Sequence, residues 1–300
     1  MLGGIKDYEL YHDESKKVGY WHGLFLVPTH KKELIIDYLL KTRNYTGYSF
    51  PVSLKRIRKR GKLYDRANSW LQIGIGSLRS QTKSQKYPIF LGEKENYHYL
   101  YPYFEHHIGT EFILFRETKS HKEMNNFPDH ASKIETTFRM GLKGGLHLLG
   151  RDDEYLHITR IHFDGYEHYQ RHVDTDRVRG RLKGLRDYCS ISNDRELIDD
   201  RSSDHRKDDC QDYEDCQLLQ LTDLLVGSFR TVLAATPNEI HRSIVHPVRE
   251  LVNRYRQGYA RMQNSRWRNS FCMSQCYLDD GSWKFEAIEY ELNDLQLPLF

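Results

Sequence analysis

The sequence predicts a mixed α/β fold, in which helices cover a single sheet. Short segments with alternating apolar residues, typical of strands, recur between longer segments whose apolar residues follow helical spacing. The composition is that of a globular protein, since 38% of the 300 residues are hydrophobic and 29% are charged. Strands that alternate with helices form a sheet flanked by helices rather than a sandwich or a bundle.

The first predicted elements are a hairpin followed by helices. Residues 8–13 alternate with period two and predict a strand, and residues 19–27 predict a second strand after a short link. Thr29 is a candidate N-cap for the helix that follows. The basic stretch at 55–62 and residues 63–78 predict further helix.

The later elements follow in the same way. Strands are predicted at residues 110–117, 155–164 and 283–291, and helices at 132–149, 176–185, 216–235 and 245–259. Tyr97, Tyr99, Tyr101 and Tyr103 alternate and would line one face of an extended chain, either as a half-buried strand or as a base-stacking row.

This order of elements divides the chain into a core and an extension. Residues 1–236 form the core, with a helical insertion around residues 29–95, and residues 237–300 form a small C-terminal α+β extension with a tail. A three-stranded start, then a helix, then another strand fits the RNase H order. We therefore expect an RNase H-like mixed sheet flanked by helices.

Charge is distributed unevenly, although the net charge of +3 is mild. Residues 177–186 form a basic segment that includes Arg177 and Arg181, and residues 199–215 carry eight carboxylates. A basic surface beside an acidic pocket suits a metal-using nuclease, but many solvated charged surfaces look the same. The first basic segment, 55–62, holds six cations, which are candidate phosphate contacts: Lys55, Arg56, Arg58, Lys59, Arg60 and Lys62.

Two predicted strands end in an aspartate. Asp13 stands in Tyr-His-Asp-Glu-Ser and shares a strand face with Tyr11 and Glu9, whereas Asp164 stands in Ile-His-Phe-Asp-Gly. Sites in open α/β sheets form at the carboxyl ends of strands, so neighbouring parallel strands would bring the two carboxylates together. Taken singly, each aspartate could instead cap a turn.

A third aspartate lies in the most apolar predicted helix. Asp223 belongs to a stripe with Cys216, Gln220, Gly227 and Arg230 at three- and four-residue spacing. An ionised carboxylate in such a helix is costly unless it is paired or bound to a metal. Pairing with Arg230, or a stripe that faces solvent, is the alternative.

These motifs resemble the domain-of-unknown-function family numbered 3800. The resemblance rests on Asp-Glu-Ser at 13–15, the strand ending in Asp164, and Gln-Leu-Leu-Gln-Leu-Thr-Asp-Leu-Leu-Val-Gly at 217–227. It covers roughly residues 5 to 235, with Thr222 where the family usually has Ala. The family's members are often bacterial and associated with mobile elements or phage defence.

The resemblance implies an RNase H-like metal-dependent nuclease. Asp13 would bridge two Mg²⁺ or Mn²⁺ ions, and Asp164 and Asp223 would each complete one coordination sphere. A fourth carboxylate is expected, with Glu135 best placed and Glu14 and Glu111 competing. Hard oxygen ligands favour these metals over zinc.

Two further expectations concern partners and location. The tail Gln296, Leu297, Pro298, Leu299, Phe300 resembles the short peptide by which bacterial replication proteins bind the sliding clamp, although it could pack on its own domain instead. No apolar stretch is long enough to cross a membrane, and the N-terminus lacks a signal-peptide layout, so we expect a cytoplasmic protein. No histidine, His162 included, has a spacing that assigns it a role.

The sequence thus leaves two functions open. The first is a nuclease that hydrolyses phosphodiester bonds by a two-metal carboxylate mechanism. The second is a catalytically silent RNase H-like module that binds nucleic acid or a protein, because the fourth carboxylate is not clearly identified.

Overall fold

The computed structural model describes most of the chain. The described residues are 6–15, 20–78, 108–117, 130–149, 156–164, 174–187, 189–192, 197–201, 203–206, 213–234, 238–261, 270–279 and 282–288. The predicted tyrosine row at 97–103 and the tail at 296–300 lie outside them.

The described strands form one mixed sheet. The strands are β1 (Lys6–Ser15), β2 (Tyr20–Pro28), β3 (Glu111–Glu117), β4 (Leu156–Asp164), β5 (Cys189–Ile191), β6 (Ile198–Arg201), β7 (Phe271–Asp279) and β8 (Ser282–Ala287). Their order is β5-β4-β1-β2-β3-β7-β8, and β6 also pairs with β4. The general α/β class predicted from the sequence is therefore confirmed.

The helices cover both faces of this sheet. They are α1 (Lys32–Thr46), α2 (Lys62–Gly76), α3 (His130–Leu149), α4 (Thr175–Leu182), α5 (Tyr213–Leu233), α6 (Glu239–Ile244) and α7 (His246–Arg261). One core cluster joins α1, α2, α5 and α7 to the sheet, and the other joins α3 and α4 to its opposite face. None of the described helices combines the length and apolarity needed to cross a membrane.

Strand alternation on β1 sends its side chains to these two layers. Tyr11 belongs to the α5 layer, whereas Tyr8 and Leu10 belong to the α3 layer. β2 runs antiparallel to β1, and β4 runs parallel to it, with Tyr11 opposite His162. β1 and β4 are therefore parallel neighbours, and Asp13 and Asp164 lie toward the same edge of the sheet.

Gly23 allows α5 to approach the sheet beside Asp13. It lies opposite Asp13 in the β1–β2 ladder. A Cβ atom on Gly23 would lie 2.0 Å from Cγ2 of Val226 on α5, far inside any tolerated contact. Any larger residue would therefore push α5, and Asp223 with it, away from β1.

The helix predicted over basic segment 55–62 is wrong. Only a short 3-10 turn, Leu54–Arg56, forms there, and α2 begins at Lys62. Buried Val52 and Ile57 hold the segment against the core, and the Val52 N–H donates to Oε1 of Gln220 at 3.0 Å instead of to a helical carbonyl. Thr29 likewise starts a short 3-10 turn rather than capping α1.

The C-terminal part adds strands to the same sheet. β7 pairs parallel with β3, and β8 pairs antiparallel with β7. β5, β6 and β7 were not predicted, since two are very short and the third shows weak alternation.

Candidate metal centre

Asp13 lies near the end of β1 on its α5 side, and one of its oxygens has no hydrogen-bond partner among the described residues. The residue is only 8% exposed, and its Oδ2 atom accepts no hydrogen bond from the described part of the chain. Burial raises the pKa of Asp13 well above its ordinary value, and the charges of Asp223, Asp164 and Glu14 raise it further, while Lys55 opposes them. The structure therefore brings the predicted carboxylates within electrostatic reach of one another.

Asp164 ends β4 and is held by Ser203. The Ser203 backbone N–H donates to Oδ1 at 3.0 Å, and its hydroxyl donates to Oδ2 at 3.0 Å. Ser203 follows β6, which pairs parallel with β4 as far as Asp164. This short strand thus fixes the orientation of the carboxylate.

Asp223 reaches the same region from α5. It is half-buried and forms no hydrogen bond or ion pair with any residue that the structure describes. Arg230, its suggested partner, donates instead to Oγ of Ser15 at 2.8 Å. Burial lowers the pKa of Arg230, and the charge of Asp223 acts in the opposite direction.

The other predicted carboxylates have different surroundings. Glu135 is fully buried and accepts from Arg177 Nε at 2.6 Å, from Arg177 Nη2 at 2.9 Å and from the Asp174 N–H at 3.0 Å. Glu14 accepts a hydrogen bond from the Tyr20 hydroxyl. Glu111 lies on β3, two strands from Asp13.

These contacts give two sets of the predicted site residues a structural role. Glu135 is not among the groups that shift the pKa of Asp13 most, and its oxygens are engaged by the start of α4. Arg177 and Arg181, predicted to contact phosphate, instead face Glu135, with Arg181 Nε 3.6 Å from Oε2. A fully buried carboxylate needs such partners, which the sequence pattern could not reveal.

Basic segment 55–62 lies on the α5 side of the sheet, the same side as the candidate centre. All six of its cations are exposed. Lys55 is the one that lowers the pKa of Asp13, and Leu54 beside it packs 3.5 Å from the position that a Cβ on Gly227 would take. The basic segment lies next to α5 because the apolar residues in and beside it are buried.

A second charged cluster lies farther back along β1 and α5. Glu9 Oε2 accepts from Tyr11 at 2.9 Å, from Lys32 at 2.8 Å and from His162 Nε2 at 2.9 Å. Asp215 Oδ1 lies 2.6 Å from both the Tyr11 hydroxyl and the Lys32 ammonium. We call these five residues the Lys32 cluster.

Among the described residues, the Lys32 cluster contains the one set of metal-ligating side chains whose donor atoms all lie within 4.8 Å: Glu9, His162 and Asp215. Asp13, Asp164 and Asp223 are not drawn together as tightly. Lys32 already supplies a positive charge between Glu9 and Asp215, so a metal at this second position would compete with it.

His162 is the functional-site neighbour that sequence reasoning missed. Burial lowers its pKa, but hydrogen bonds with Asp199 and Glu9 and the charge of Asp215 outweigh burial and raise it. Its position two residues before Asp164 places both on one face of β4, and this period-two spacing was the available signal.

α5 runs alongside β1 between the Lys32 cluster and the candidate metal centre. Asp215 and Asp223 are eight residues apart on the helix, roughly 12 Å at its rise per residue. Glu9 and Asp13 are four residues apart on the strand, roughly 13 Å. Over these similar lengths Asp215 shares Tyr11 with Glu9, and Asp223 acts electrostatically on Asp13.

Comparison with protein-family models, with curated proteins and with solved structures found no match to this chain.

Proposed function

We propose that this protein is a metal-dependent nuclease with an RNase H-like core, in which Asp13, Asp164 and Asp223 hold divalent ions. The observation that carries the proposal is the buried Oδ2 atom of Asp13, which has no hydrogen-bond partner among the described residues. Such an atom is costly to bury unless a proton or a cation satisfies it.

The donor set suits a hard divalent cation. Asp164 and Asp223 both raise the pKa of Asp13 by their negative charge, and all three offer carboxylate oxygens. Mg²⁺ and Mn²⁺ prefer oxygen ligands. A cation would relieve the repulsion among the three carboxylates, which a proton on one of them relieves only in part.

The strand arrangement supports an RNase H-like core. β1, β2 and β3 are antiparallel neighbours, with α1 and α2 inserted between β2 and β3, and α3 and then β4, parallel to β1, follow. This agrees with the order expected from the sequence. A part in phage defence or mobile-element biology is proposed on the sequence resemblance to the family numbered 3800 alone.

The chain's own residues would divide the work of phosphodiester hydrolysis. Bound divalent ions would act as Lewis acids and lower the pKa of the attacking water. Ser203 would hold Asp164 in a fixed orientation, as a hydrogen-bonded neighbour of a ligand commonly does. The exposed cations of basic segment 55–62 would position the phosphate backbone.

The test is a nuclease assay with Mn²⁺ or Mg²⁺ on single- and double-stranded DNA and RNA. Wild type is compared with Asp13→Ala and Asp223→Ala, and with Asp37→Ala as a control that removes an exposed carboxylate on α1. We expect cleavage that both site variants lose and the control keeps. A folded wild type that cleaves no substrate would contradict the proposal.

Metal titration separates the nuclease from a silent RNase H-like binding module. The nuclease should bind Mn²⁺ in a way that depends on Asp13 and Asp223. A silent module should bind nucleic acid or a protein with no carboxylate-dependent Mn²⁺ binding.

The sliding clamp is proposed as a partner on sequence alone, since Gln296, Leu297, Leu299 and Phe300 lie outside the described residues. Deleting residues 296–300 should abolish capture by the clamp and leave metal binding intact. A truncated protein that still binds the clamp would refute this partner.

A further inference from the structure

Exposed aromatic rings cluster at the end of α1. Tyr45 is 47% exposed and Phe50 is 50% exposed, which makes them the most exposed large hydrophobic residues that the structure describes. Tyr48, which lies between them in the chain, is half-buried, and its ring centroid is 5.8 Å from that of Phe50. Rings exposed to water do not stabilise the fold by burial, and exposed apolar patches often mark binding sites.

Two buried arginines hold this aromatic patch in place. Arg66, on α2, donates to the carbonyl oxygens of Tyr48 and Arg43 and to the Thr46 hydroxyl. Arg43 Nη1 donates to the carbonyl oxygen of Phe50 at 3.1 Å. Because these guanidinium groups fix the backbone at several points, the rings are displayed on a preorganised loop.

Hydrogen bonds connect the same loop to the candidate metal centre. Arg43 Nη2 donates to Gln220 Oε1 at 2.9 Å, and Gln220 Nε2 donates to the Ser203 carbonyl oxygen at 2.6 Å. Ser203 in turn holds Asp164. The aromatic patch and the Asp164 carboxylate are therefore positioned by one continuous set of side chains.

Positive charge flanks the rings. The Arg206 guanidinium lies 5.2 Å from the centre of the Phe50 ring, but it is paired with Asp204 at 2.6 Å, so the uncompensated charge comes from basic segment 55–62. Basic segment 55–62 follows the loop directly in the chain, and Lys55 acts electrostatically on Asp13. The charge available along this path is complementary to a phosphate backbone that leads to the carboxylates.

We propose that the Tyr45–Tyr48–Phe50 patch and basic segment 55–62 form a docking surface for single-stranded nucleic acid. Exposed rings stack on unpaired bases, which a duplex keeps inside its own stack, while the cations contact the backbone. The inference rests on the proposed function in one respect, since it names the strandedness of the substrate that the metal centre would receive.

Binding is measured by fluorescence anisotropy in EDTA, with labelled oligothymidylate and oligouridylate and with a duplex of mixed sequence. Wild type should bind the single strands at least tenfold more tightly than the duplex. Phe50→Ala should weaken single-strand binding about tenfold without changing the salt dependence, and Phe50→Trp should restore it. Lys59→Ala should instead reduce the salt dependence.

Leu148→Ala serves as the matched control, because Leu148 is an exposed apolar residue on α3, across the sheet from the patch. It should bind as wild type does, and circular dichroism should show every variant folded. Equal affinity for duplex and single strands, or wild-type binding by Phe50→Ala, would overturn the surface. If the wild type binds single strands but cleaves no substrate, the docking surface stands and the proposed nuclease activity is refuted. If the wild type cleaves and Phe50→Ala binds as wild type does, the nuclease activity stands and the docking surface is refuted.

Discussion

The rings of Tyr11 and His162 stack face to face, with centroids 4.4 Å apart and planes within 5° of parallel. They are register partners on β1 and β4, and the Tyr11 hydroxyl also reaches Asp215 on α5. The Lys32 cluster therefore ties α5 to two strands through buried hydrogen bonds and ion pairs. Two residues farther along β1, Asp13 has a buried oxygen with no hydrogen-bond partner among the described residues.

The first prediction concerns the Lys32 ammonium. Lys32→Met removes the cation that lies 2.8 Å from Glu9 and 2.6 Å from Asp215, and should lower the free energy of unfolding by about 3 kcal/mol, because two buried carboxylates lose their partner. The matched control is Lys41→Met, whose exposed pair with Asp37 should matter by less than about 1 kcal/mol. Equal losses in urea denaturation would contradict this account.

Glu9 should make stability depend on acid pH. Burial raises its pKa, but hydrogen bonds and charges from His162 and Lys32 outweigh burial and lower the pKa from 4.5 to about 2. The lowered pKa means that the stabilisation is complete above about pH 4.5 and is lost as the pH falls toward 2. Denaturation measured between these pH values gives the free energy of unfolding, and in Glu9→Gln this free energy should fall less with decreasing pH than in wild type. An equal dependence on pH in the variant would argue against this role of the cluster.

Asp13→Asn should separate stability from metal binding. Without metal, the substitution removes a buried carboxylate beside two others, and should raise the free energy of unfolding by about 1 kcal/mol. Wild type should gain about 2.7 kcal/mol in Mn²⁺ at a hundredfold excess over the dissociation constant, while the variant should gain none. Thermal unfolding with and without EDTA measures both, and an equal Mn²⁺ gain in the variant would remove Asp13 from the site.

Ser203 should act through Asp164. Ser203→Ala removes the hydroxyl donor but leaves the backbone N–H bond, so we expect Mn²⁺ affinity to fall about tenfold with little loss of stability. The control is Ser243→Ala, which makes the same Ser-to-Ala substitution at an exposed residue of α6. Calorimetric titration would decide, and unchanged affinity would show that Asp164 needs no such support.

Glu135 should contribute to stability and not to metal binding. Glu135→Gln weakens the hydrogen bonds between the buried carboxylate and the Arg177 side chain, which is 37% exposed, and should cost about 2 kcal/mol in the free energy of unfolding. Its Mn²⁺ dissociation constant should match that of wild type at a temperature where both are folded. A large loss of Mn²⁺ affinity in the folded variant would restore Glu135 as the fourth carboxylate.

The elements with strong periodicity were the ones that sequence reasoning located well. β1, β3, β4, α3 and α5 have bounds within a few residues of those predicted, because their apolar faces are long enough to define a period. β5 and β6 are too short for that, and basic segment 55–62 has mostly charged side chains that match no buried face.

The sequence by itself determined the α/β class and which aspartates lie near strand ends or interrupt the apolar helix, since both follow from local alternation. Only the tertiary structure decided which charges meet. Tyr11 and Asp215 are 204 residues apart in the chain, and Glu135 and Arg177 are 42 apart. A buried charge selects its partner by proximity after folding, and that proximity depends on how helices pack on the sheet, which no local pattern encodes.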